Sequence, residues 1–291
     1  MNNKLILGTV QFGLDYGVNN TLGKPSQKNI AKILDYAFQN GISILDTAEA
    51  YGDSQTNIGV YHNSSSNVFK IISKFSPLRS DLSKEIKVRV TQNLNILNVQ
   101  KLHGYMFHSF QDFEKYYPSM KRDFGDLQKN GLIEKIGVSL HENKDIETIF
   151  NYSDIKLIQL PFNLFDNSNH RKQILEKAKQ RGIEVHSRSA FLQGLFFKKE
   201  NTLTGNLKKL QKYLKCVNNL TSSEIQTNDL ALNYALKQPY IDQVLIGVDN
   251  IDQLKGNLKS LKKYISMDVI KSIESIQVEE RELLNPANWK T

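Results

Sequence analysis

Four side chains that could take part in proton transfer lie at or just beyond the ends of short apolar segments. Asp46 ends the segment SILD, and the phenol of Tyr51 follows within the motif DTAEAYG at 46–52. Lys74 ends VFKIISK, and His108 ends LHGYMFH. If these segments are neighbouring strands, Asp46 and Lys74 can pair, and a lysine held by a carboxylate keeps its charge where water is partly excluded.

A cation beside a phenol defines the chemistry that these residues could perform. Lys74 would stabilise the phenolate of Tyr51, so we expect the pKa of Tyr51 to fall below its usual value of about 10. Such a phenol can give or take a proton near neutral pH, while His108 donates a hydrogen bond to a substrate oxygen. The four residues together predict proton transfer to a carbonyl whose carbon receives hydride.

Each of the four residues also has a structural alternative. Asp46 could cap the next helix, and Tyr51 with Gly52 could form a turn. Lys74 could be an exposed strand end, and His108 could be a packed histidine. Four such residues at the ends of three successive strands favour the functional interpretation over four unrelated structural ones.

Eight apolar segments, rich in β-branched or aromatic residues, are predicted as the buried strands that position these side chains. They lie at 5–10, 43–46, 68–74, 102–108, 134–139, 156–160, 183–188 and 243–248. Amphipathic segments with a helical period separate them, at 28–40, 84–97, 112–129, 169–182, 227–239 and 250–261. The alternation predicts parallel β/α units and, with eight strands, a closed (β/α)₈ TIM barrel. A doubly wound open sheet is the alternative, but GTVQFGLDYG lacks the spacing of its G-x-G-x-x-G turn.

The strand ends should form one polar site, because active sites of such barrels lie at the C-terminal ends of the strands. Seven predicted strands have a polar residue or glycine at their last position or one position before it: Asp46, Lys74, His108, Ser139, Gln159, Arg188 and Gly247. No composition break divides the 291 residues, so we expect one barrel domain over 1–291. Within it, 190–226 is expected to form a longer loop with an extra helix, and 276–291 a C-terminal tail that packs over the barrel or is partly disordered.

The bulk composition limits the partners that we expect. The net charge is +8, but the lysines are scattered and no basic run alternates with aromatics, so a basic surface is favoured over nucleic-acid binding. No apolar run reaches the roughly 18–20 residues that span a bilayer, and the N-terminus has no signal-peptide pattern. The single cysteine, Cys216, favours a reducing, cytoplasmic location. We expect a monomer or weak homodimer that acts on a small molecule.

The motif DTAEAYG, with ISK at Lys74 and MFHSF around His108, resembles the aldo-keto reductase family. The resemblance extends from LGTVQFG at 7–13 to LIGVDNIDQLKGNL at 245–258. Asp46, Tyr51, Lys74 and His108 match the family's catalytic tetrad in order and spacing. The resemblance implies reversible, metal-free reduction of an aldehyde or ketone by NAD(P)H, with Tyr51 as general acid and His108 orienting the carbonyl.

The same resemblance implies a cofactor groove. Ser139 and Gln159 match the residues that hold the nicotinamide carboxamide, and Arg188 stands where many members place an aromatic that stacks on the ring. A guanidinium can also stack, but Arg188 could instead bind the pyrophosphate or an acidic substrate. The remaining residues match the loop along the pyrophosphate, Phe191, Gln193 and Gly194, and the adenosine end, Gly247, Gln253 and Asn257.

The residues after the eighth strand depart from the pattern of NADPH-using members. Those members carry Arg or Lys just after the strand-eight glycine, where this sequence has Val248, Asp249 and Asn250. A carboxylate repels a 2′-phosphate and accepts hydrogen bonds from a ribose 2′-hydroxyl. Because Lys255 could still supply a positive charge, both NADP(H) and NAD(H) remain open.

The substrate and two other functions are also left open. YGVNNTLGKPS and RSAFLQGLF resemble bacterial members linked to unusual sugars of surface polysaccharides, which implies a sugar or nucleotide-sugar carbonyl. A nicotinamide-binding regulatory protein without turnover is one alternative, and a metal-dependent barrel hydrolase or isomerase is another. Six aromatics could line the substrate pocket or pack in the core: Phe12, Tyr16, Phe75, Phe110, Phe162 and Phe165.

Overall fold

The computed structural model describes residues 3–17, 20, 23–77 and 85–290 of the chain. Eight strands form one closed parallel barrel, in which each strand pairs with the next and the last pairs with the first. They are β1 Leu5–Gly8, β2 Ile44–Asp46, β3 Lys70–Phe75, β4 Leu102–Phe107, β5 Ile133–Ser139, β6 Ile155–Pro161, β7 Glu184–Arg188 and β8 Gln243–Gly247. All eight predicted strands are present, and the predicted (β/α)₈ barrel is confirmed.

Ten α-helices lie within the described residues and cover the outside of the barrel. They are α1 Gln27–Gln39, α2 Ser54–Ser64, α3 Ile86–Leu97, α4 Phe110–Lys129, α5 Asn143–Ile149, α6 Ser168–Gln180, α7 Gln211–Asn218, α8 Thr227–Leu236, α9 Ile251–Ser260 and α10 Met267–Glu274. Six match the predicted amphipathic segments, although residue 84, where the predicted segment 84–97 begins, lies outside the described residues. None of the helices in the described ranges combines the length and apolar character that spanning a bilayer requires.

Helix α2 was missed because its buried face is largely polar. Ser54 and Gln55 are buried at its start, so the apolar period that marks the other helices is broken. Gln55 donates a hydrogen bond from Nε2 to Ser73 Oγ at 2.9 Å, which ties the helix to β3. This helix follows directly on the loop that carries Tyr51.

Two apolar layers hold the fold. Inside the barrel, a small buried cluster fills the interior below the polar strand ends, with Ile6, Ile44, Ile72, Met106 and Leu157. A much larger cluster lies between the sheet and the surrounding helices. The barrel is therefore closed beneath the strand ends, although the Lys135–Glu184 ion pair and the buried His186 lie lower in β5 and β7.

The last part of the chain packs back onto the segment between β7 and β8. That segment holds 3₁₀ turns at Leu192–Phe197, Glu200–Thr202 and Gly205–Leu210 before α7. Beyond α10, two further 3₁₀ turns lie at Arg281–Leu284 and Pro286–Asn288. The backbone nitrogen of Lys290 donates a hydrogen bond to Asn206 Oδ1 at 2.9 Å. This bond attaches the C-terminal tail to the segment between β7 and β8.

Candidate active site

A buried ion pair occupies the centre of the C-terminal edge of the barrel. The ammonium of Lys74, one residue before the end of β3, is hydrogen-bonded to the carboxylate of Asp46, the last residue of β2. Lys74 Nζ also donates to the carbonyl of Thr47 at 3.1 Å, and Gln159 Nε2 donates to Asp46 Oδ2 at 2.8 Å. Asp46 thus binds side chains from two other strands and does not cap a helix.

Tyr51 and His108 stand beside this pair and border the cleft. Their rings meet edge to face, with centroids 5.6 Å apart, and Lys74 Nζ lies 5.3 Å from the centroid of the Tyr51 ring. His108 is the first residue after β4, one position beyond the strand end. Neither the Tyr51 hydroxyl nor the His108 ring nitrogens bond to any described residue, so both can bind a ligand in the cleft.

The protonation states differ in part from what the sequence suggested. Burial raises the pKa of Tyr51 above 10, and the opposing effect of Lys74 does not overcome it, so the expected fall is corrected. Burial also raises the cost of charging His108, and with the charge of Lys74 nearby its pKa falls to about 4. The pKa of Lys74 is raised by Asp46 against the effect of burial. At neutral pH the site therefore holds a neutral phenol, a neutral imidazole and an ammonium.

Two glycines let the loops after β1 and β2 touch, and this contact holds the backbone at Tyr51. A Cβ at Gly13 would lie 1.8 Å from the carbonyl oxygen of Tyr51, and one at Gly52 would lie 2.5 Å from the carbonyl oxygen of Gly13. Gly52 also has a positive φ of 50°, which favours glycine. The motif residue after Tyr51 is therefore required both by the turn and by the close approach of the two loops.

A small cluster of buried hydroxyl groups supports the same loop. Ser54 Oγ donates to the carbonyl of Thr9 at 2.8 Å and lies 3.1 Å from Thr47 Oγ1. Thr9 Oγ1 in turn donates to the carbonyl of Asp46 at 3.0 Å. These bonds link the ends of β1 and β2 to the start of α2. The loop that carries Tyr51 is therefore anchored at both of its ends, at Thr47 and at Ser54.

One cleft of about 860 Å³ is lined by every candidate catalytic and cofactor-binding residue that the sequence nominated. At the reaction end it is lined by the four candidate catalytic residues together with Ser139, Gln159 and Arg188. Phe191, Gln193 and Gly194, which follow β7, also line it, and the chain turns through positive φ values at Gln193 and Gly194. Gly247, Asp249, Gln253 and Asn257 line the part of the cleft beside β8 and α9.

The end of the cleft at β8 is bordered by a carboxylate. Asp249 accepts a hydrogen bond at Oδ2 from Gln253 Nε2 at 3.0 Å, and its backbone nitrogen donates to Gln253 Oε1 at 2.8 Å. Asn250 caps α9 by accepting from the Gln253 nitrogen at 2.9 Å. Lys255 is half exposed and lies 3.7 Å from Asp252, and it does not line the cleft.

Several cleft residues were not found from the sequence. Gln11 lies in a 3₁₀ turn just after β1, and a Cβ at Gly247 would stand 2.7 Å from its Nε2, so the absence of a side chain at Gly247 leaves room for the Gln11 amide in its present position. The tail also reaches the cleft, through Asn285, Pro286 and Ala287. Neither Gln11 nor the tail stands at a strand end, which is why the strand-end argument passed over them.

The aromatic candidates for the substrate pocket were mostly wrong. Phe12, Phe75, Phe162 and Phe165 are buried in the core, and Phe110 packs against it. Of the six, Tyr16 lines the cleft, where its hydroxyl accepts a hydrogen bond from Gln193 Nε2 at 2.9 Å. Phe191 and Phe197 supply the aromatic surface instead.

The residues present fit a dinucleotide cofactor. The cleft is long, and Gln11 Oε1, buried at its edge, accepts no hydrogen bond from the described residues. The Ser139 hydroxyl and the Gln159 amide lie beside the candidate catalytic residues, where an amide such as that of nicotinamide could be bound. Within the described ranges, no group of three or more His, Cys, Asp or Glu side chains could hold a metal ion.

The family model of the aldo/keto reductases matches residues 4–278, so the chain belongs to the aldo/keto reductase family. It is therefore an NAD(P)H-dependent oxidoreductase of the carbonyl-reducing type.

Among proteins of similar sequence, the chain is 24% identical to the uncharacterized oxidoreductase YqkF of Bacillus subtilis, with 88% of this chain and 89% of the relative covered. It is also 24% identical to protein tas of Escherichia coli, with 93% and 92% covered. The fold is shared with the holo form of aldo-keto reductase AKR11C1 from Bacillus halodurans, at a TM-score of 0.76 and 19% identity, covering 96% and 94% of the two chains.

Proposed function

We propose that this protein reduces the carbonyl of a sugar or nucleotide-sugar to an alcohol, with Tyr51 as the proton donor and NADH as the preferred cofactor. The observation that carries the chemistry is the contact of Tyr51 with both His108 and Lys74 at the edge of the cleft. The bound cofactor supplies hydride to the carbonyl carbon. All other parts of the reaction fall to side chains of this chain.

The neutral phenol of Tyr51 donates its proton to the carbonyl oxygen as that oxygen gains negative charge. The ammonium of Lys74 stabilises the phenolate that forms, so its effect is greatest in the transition state, where it lowers the barrier. Asp46 keeps Lys74 charged in a buried position, as the raised pKa of Lys74 indicates. Gln159 fixes the orientation of that carboxylate through its hydrogen bond to Oδ2.

Neutral His108 directs the substrate. With a pKa of about 4, its imidazole carries one N–H at neutral pH and can donate a hydrogen bond to the carbonyl oxygen without supplying a second positive charge. Together with Tyr51 it defines the place of the carbonyl oxygen. Ser139 and Gln159 would hold the amide of the nicotinamide, and Arg188 lines the same cleft.

The preference for NADH rests on Asp249. This carboxylate lines the end of the cleft, its hydrogen-bond partner there is the neutral Gln253, and no Lys or Arg of the described residues lines that end. It would repel a 2′-phosphate and accept a hydrogen bond from a 2′-hydroxyl. Gly247, Gln253 and Asn257 complete the proposed adenosine end, and Phe191, Gln193 and Gly194 the proposed pyrophosphate loop.

The test combines binding and turnover. Purified protein is titrated with NADH and NADPH by the change in nicotinamide fluorescence, and then assayed with a panel of aldoses, ketoses and nucleotide-sugar ketones. We expect micromolar binding, tighter for NADH, and oxidation of NADH with a sugar carbonyl. Binding without turnover of any carbonyl would favour the regulatory alternative, and no binding of either cofactor would contradict the proposal.

A further inference from the structure

Two cations reach the reaction end of the cleft, but they differ in how their charges are balanced. Lys74 is paired with Asp46. Arg188, the last residue of β7, also lines the cleft, yet no carboxylate of the described residues forms an ion pair with it. The reaction end therefore carries a positive charge that the described part of the chain does not neutralise.

The contacts of Arg188 orient it without balancing its charge. Its Nη2 lies 2.7 Å from His141 Nε2 and 3.4 Å from the carbonyl oxygen of Leu140, and Nη1 lies 3.4 Å from Ser189 Oγ. Burial and the charges of Arg188 and Arg171 lower the pKa of His141 to about 4, so this imidazole is neutral at neutral pH and accepts the bond. A guanidinium has five N–H groups, so with these three contacts formed two N–H groups remain available to a ligand, and the two contacts at 3.4 Å are weak.

Asp166, the carboxylate whose charge acts on Arg188, is already paired with another arginine. Asp166 binds Arg171 through both of its carboxylate oxygens, at 2.8 and 2.6 Å. A half-buried cation without a counter-ion is costly, and such groups persist where a ligand supplies the opposite charge. Guanidinium and carboxylate or phosphate form two parallel hydrogen bonds, which makes an anion of this kind the matching ligand.

We propose that the substrate carries an anionic group, a carboxylate or a phosphate, and that Arg188 binds it beside the reacting carbonyl. The position of Arg188 places the anion at the reaction end, because Arg188 lines the same cleft as Tyr51 and His108. This inference rests on the proposed function and narrows its substrate class. It assigns to Arg188 a role in substrate recognition in place of stacking on the nicotinamide or binding the cofactor's pyrophosphate.

The kinetic test compares pairs of substrates that differ in charge. The ratio of kcat/KM for glyceraldehyde 3-phosphate over glyceraldehyde, and for succinic semialdehyde over butyraldehyde, is measured for the wild type and for Arg188→Gln. We expect the ratio of one or both pairs to exceed about 10 in the wild type and to fall at least about tenfold in Arg188→Gln, as for a charged hydrogen bond. Because each ratio compares two substrates on one protein, a general loss of activity cancels, and the preferred pair tells phosphate from carboxylate. Arg181→Gln, which removes an exposed arginine packed on Phe150, is the matched control and should keep the wild-type ratio.

A binding measurement separates this proposal from the reaction itself. The protein–cofactor complex is titrated with glycerol 3-phosphate, malate and glycerol by calorimetry. One of the two anions should bind, glycerol should not, and Arg188→Gln should weaken the anion about tenfold or more. If an anion binds in this way but no carbonyl is turned over, the proposed function fails while the anion site stands. Equal ratios in wild type and Arg188→Gln, or a loss confined to cofactor affinity, would overturn the proposal.

Discussion

Two buried carboxylates in the same motif, Asp46 and Glu49, illustrate the difference between a catalytic and a structural ion pair. Both are almost inaccessible, at 2% and 3% exposure, and each is paired with a buried cation. Asp46 and its partner Lys74 border the cleft, where Lys74 approaches the Tyr51 ring. Glu49 is instead surrounded by protein donors and does not line the cleft.

The hydrogen bonds of Glu49 make the contrast clear. Besides Arg89, it accepts from Asn93 Nδ2 at 2.8 Å, from the Tyr105 hydroxyl at 2.5 Å and from the Ser76 nitrogen at 3.3 Å. The network joins the loop after β2 to β3, β4 and α3. Burial and pairing alone therefore do not identify a catalytic carboxylate. The distinguishing feature is whether the paired cation still faces a ligand site.

The largest difference in activity is expected between two variants that each lose one tyrosine hydroxyl, one beside the Asp46–Lys74 pair and one beside the Glu49–Arg89 pair. Tyr51→Phe should lower kcat by about 10³-fold or more, because it removes the proton donor, while the Kd for NADH changes little. Tyr105→Phe is the matched control, and it should keep wild-type kcat while losing about 1–2 kcal/mol of stability through its lost bond to Glu49. Steady-state kinetics, cofactor titration and urea unfolding measure these quantities. Equal activity losses in the two variants would contradict the distinction.

Removing one cation from each pair should cost similar stability. Lys74→Met and Arg89→Met each leave a buried carboxylate unpaired, so each should lower the free energy of unfolding by about 3–5 kcal/mol. Adding Asp46→Asn or Glu49→Gln should recover part of that loss, because the uncompensated charge is then gone. Urea unfolding of the four variants measures this. A single substitution that costs nothing would show that its pair is not the buried pair seen here.

A third carboxylate, Asp249, extends the comparison to a group that has no cation partner in the described residues. Asp249→Asn should weaken the preference for NADH by about threefold to tenfold, because it removes the repulsion of the 2′-phosphate but not the hydrogen-bonding capacity. Asp249→Arg should shift the preference towards NADPH further. The ratio of the two dissociation constants is the measurement. An unchanged ratio in both variants would remove Asp249 from the cofactor site.

The smallest change is expected in the pH profile. Reduction needs neutral His108 and protonated Tyr51. The pKa of His108 is lowered to about 4, so protonation removes activity only near that pH, and the pKa of Tyr51 is raised above 10, so loss of its proton removes activity only in strong alkali. We expect log kcat/KM to be nearly flat from about pH 5 to about pH 9. A titration with its midpoint near 6.5 would show that His108 is solvated and outside the proposed arrangement.

The sequence predicted those parts of the protein that depend on local pattern. Eight apolar runs were enough for the barrel, and the strand ends were enough to gather Asp46, Lys74, His108 and Gln159 into one cleft. The prediction of a proton-transfer site depended on first predicting the barrel, because only the barrel brings residues so distant in the chain together.

Other features could not be predicted because they depend on packing between distant segments. The buried face of helix α2 is largely polar, and Gln11 reaches the cleft from a turn beyond β1 by packing its amide against Gly247 of β8. The raised pKa of Tyr51 was misjudged because the sequence reveals the nearby Lys74 but not how much water burial removes. Burial also decides the place of Phe75 and Phe162. Both lie near strand ends in the sequence, but both are buried in the core.

The most direct measurement of the central claim is turnover per folded molecule in the two double variants, Asp46→Asn/Lys74→Met and Glu49→Gln/Arg89→Met. Folded protein is counted by near-UV circular dichroism, and NADH oxidation is followed with a sugar carbonyl that the wild type reduces. We expect the first variant to lose at least about 10²-fold in kcat and the second to stay within about threefold of the wild type. Equal losses in both would contradict the claim that only the pair facing the cleft takes part in catalysis.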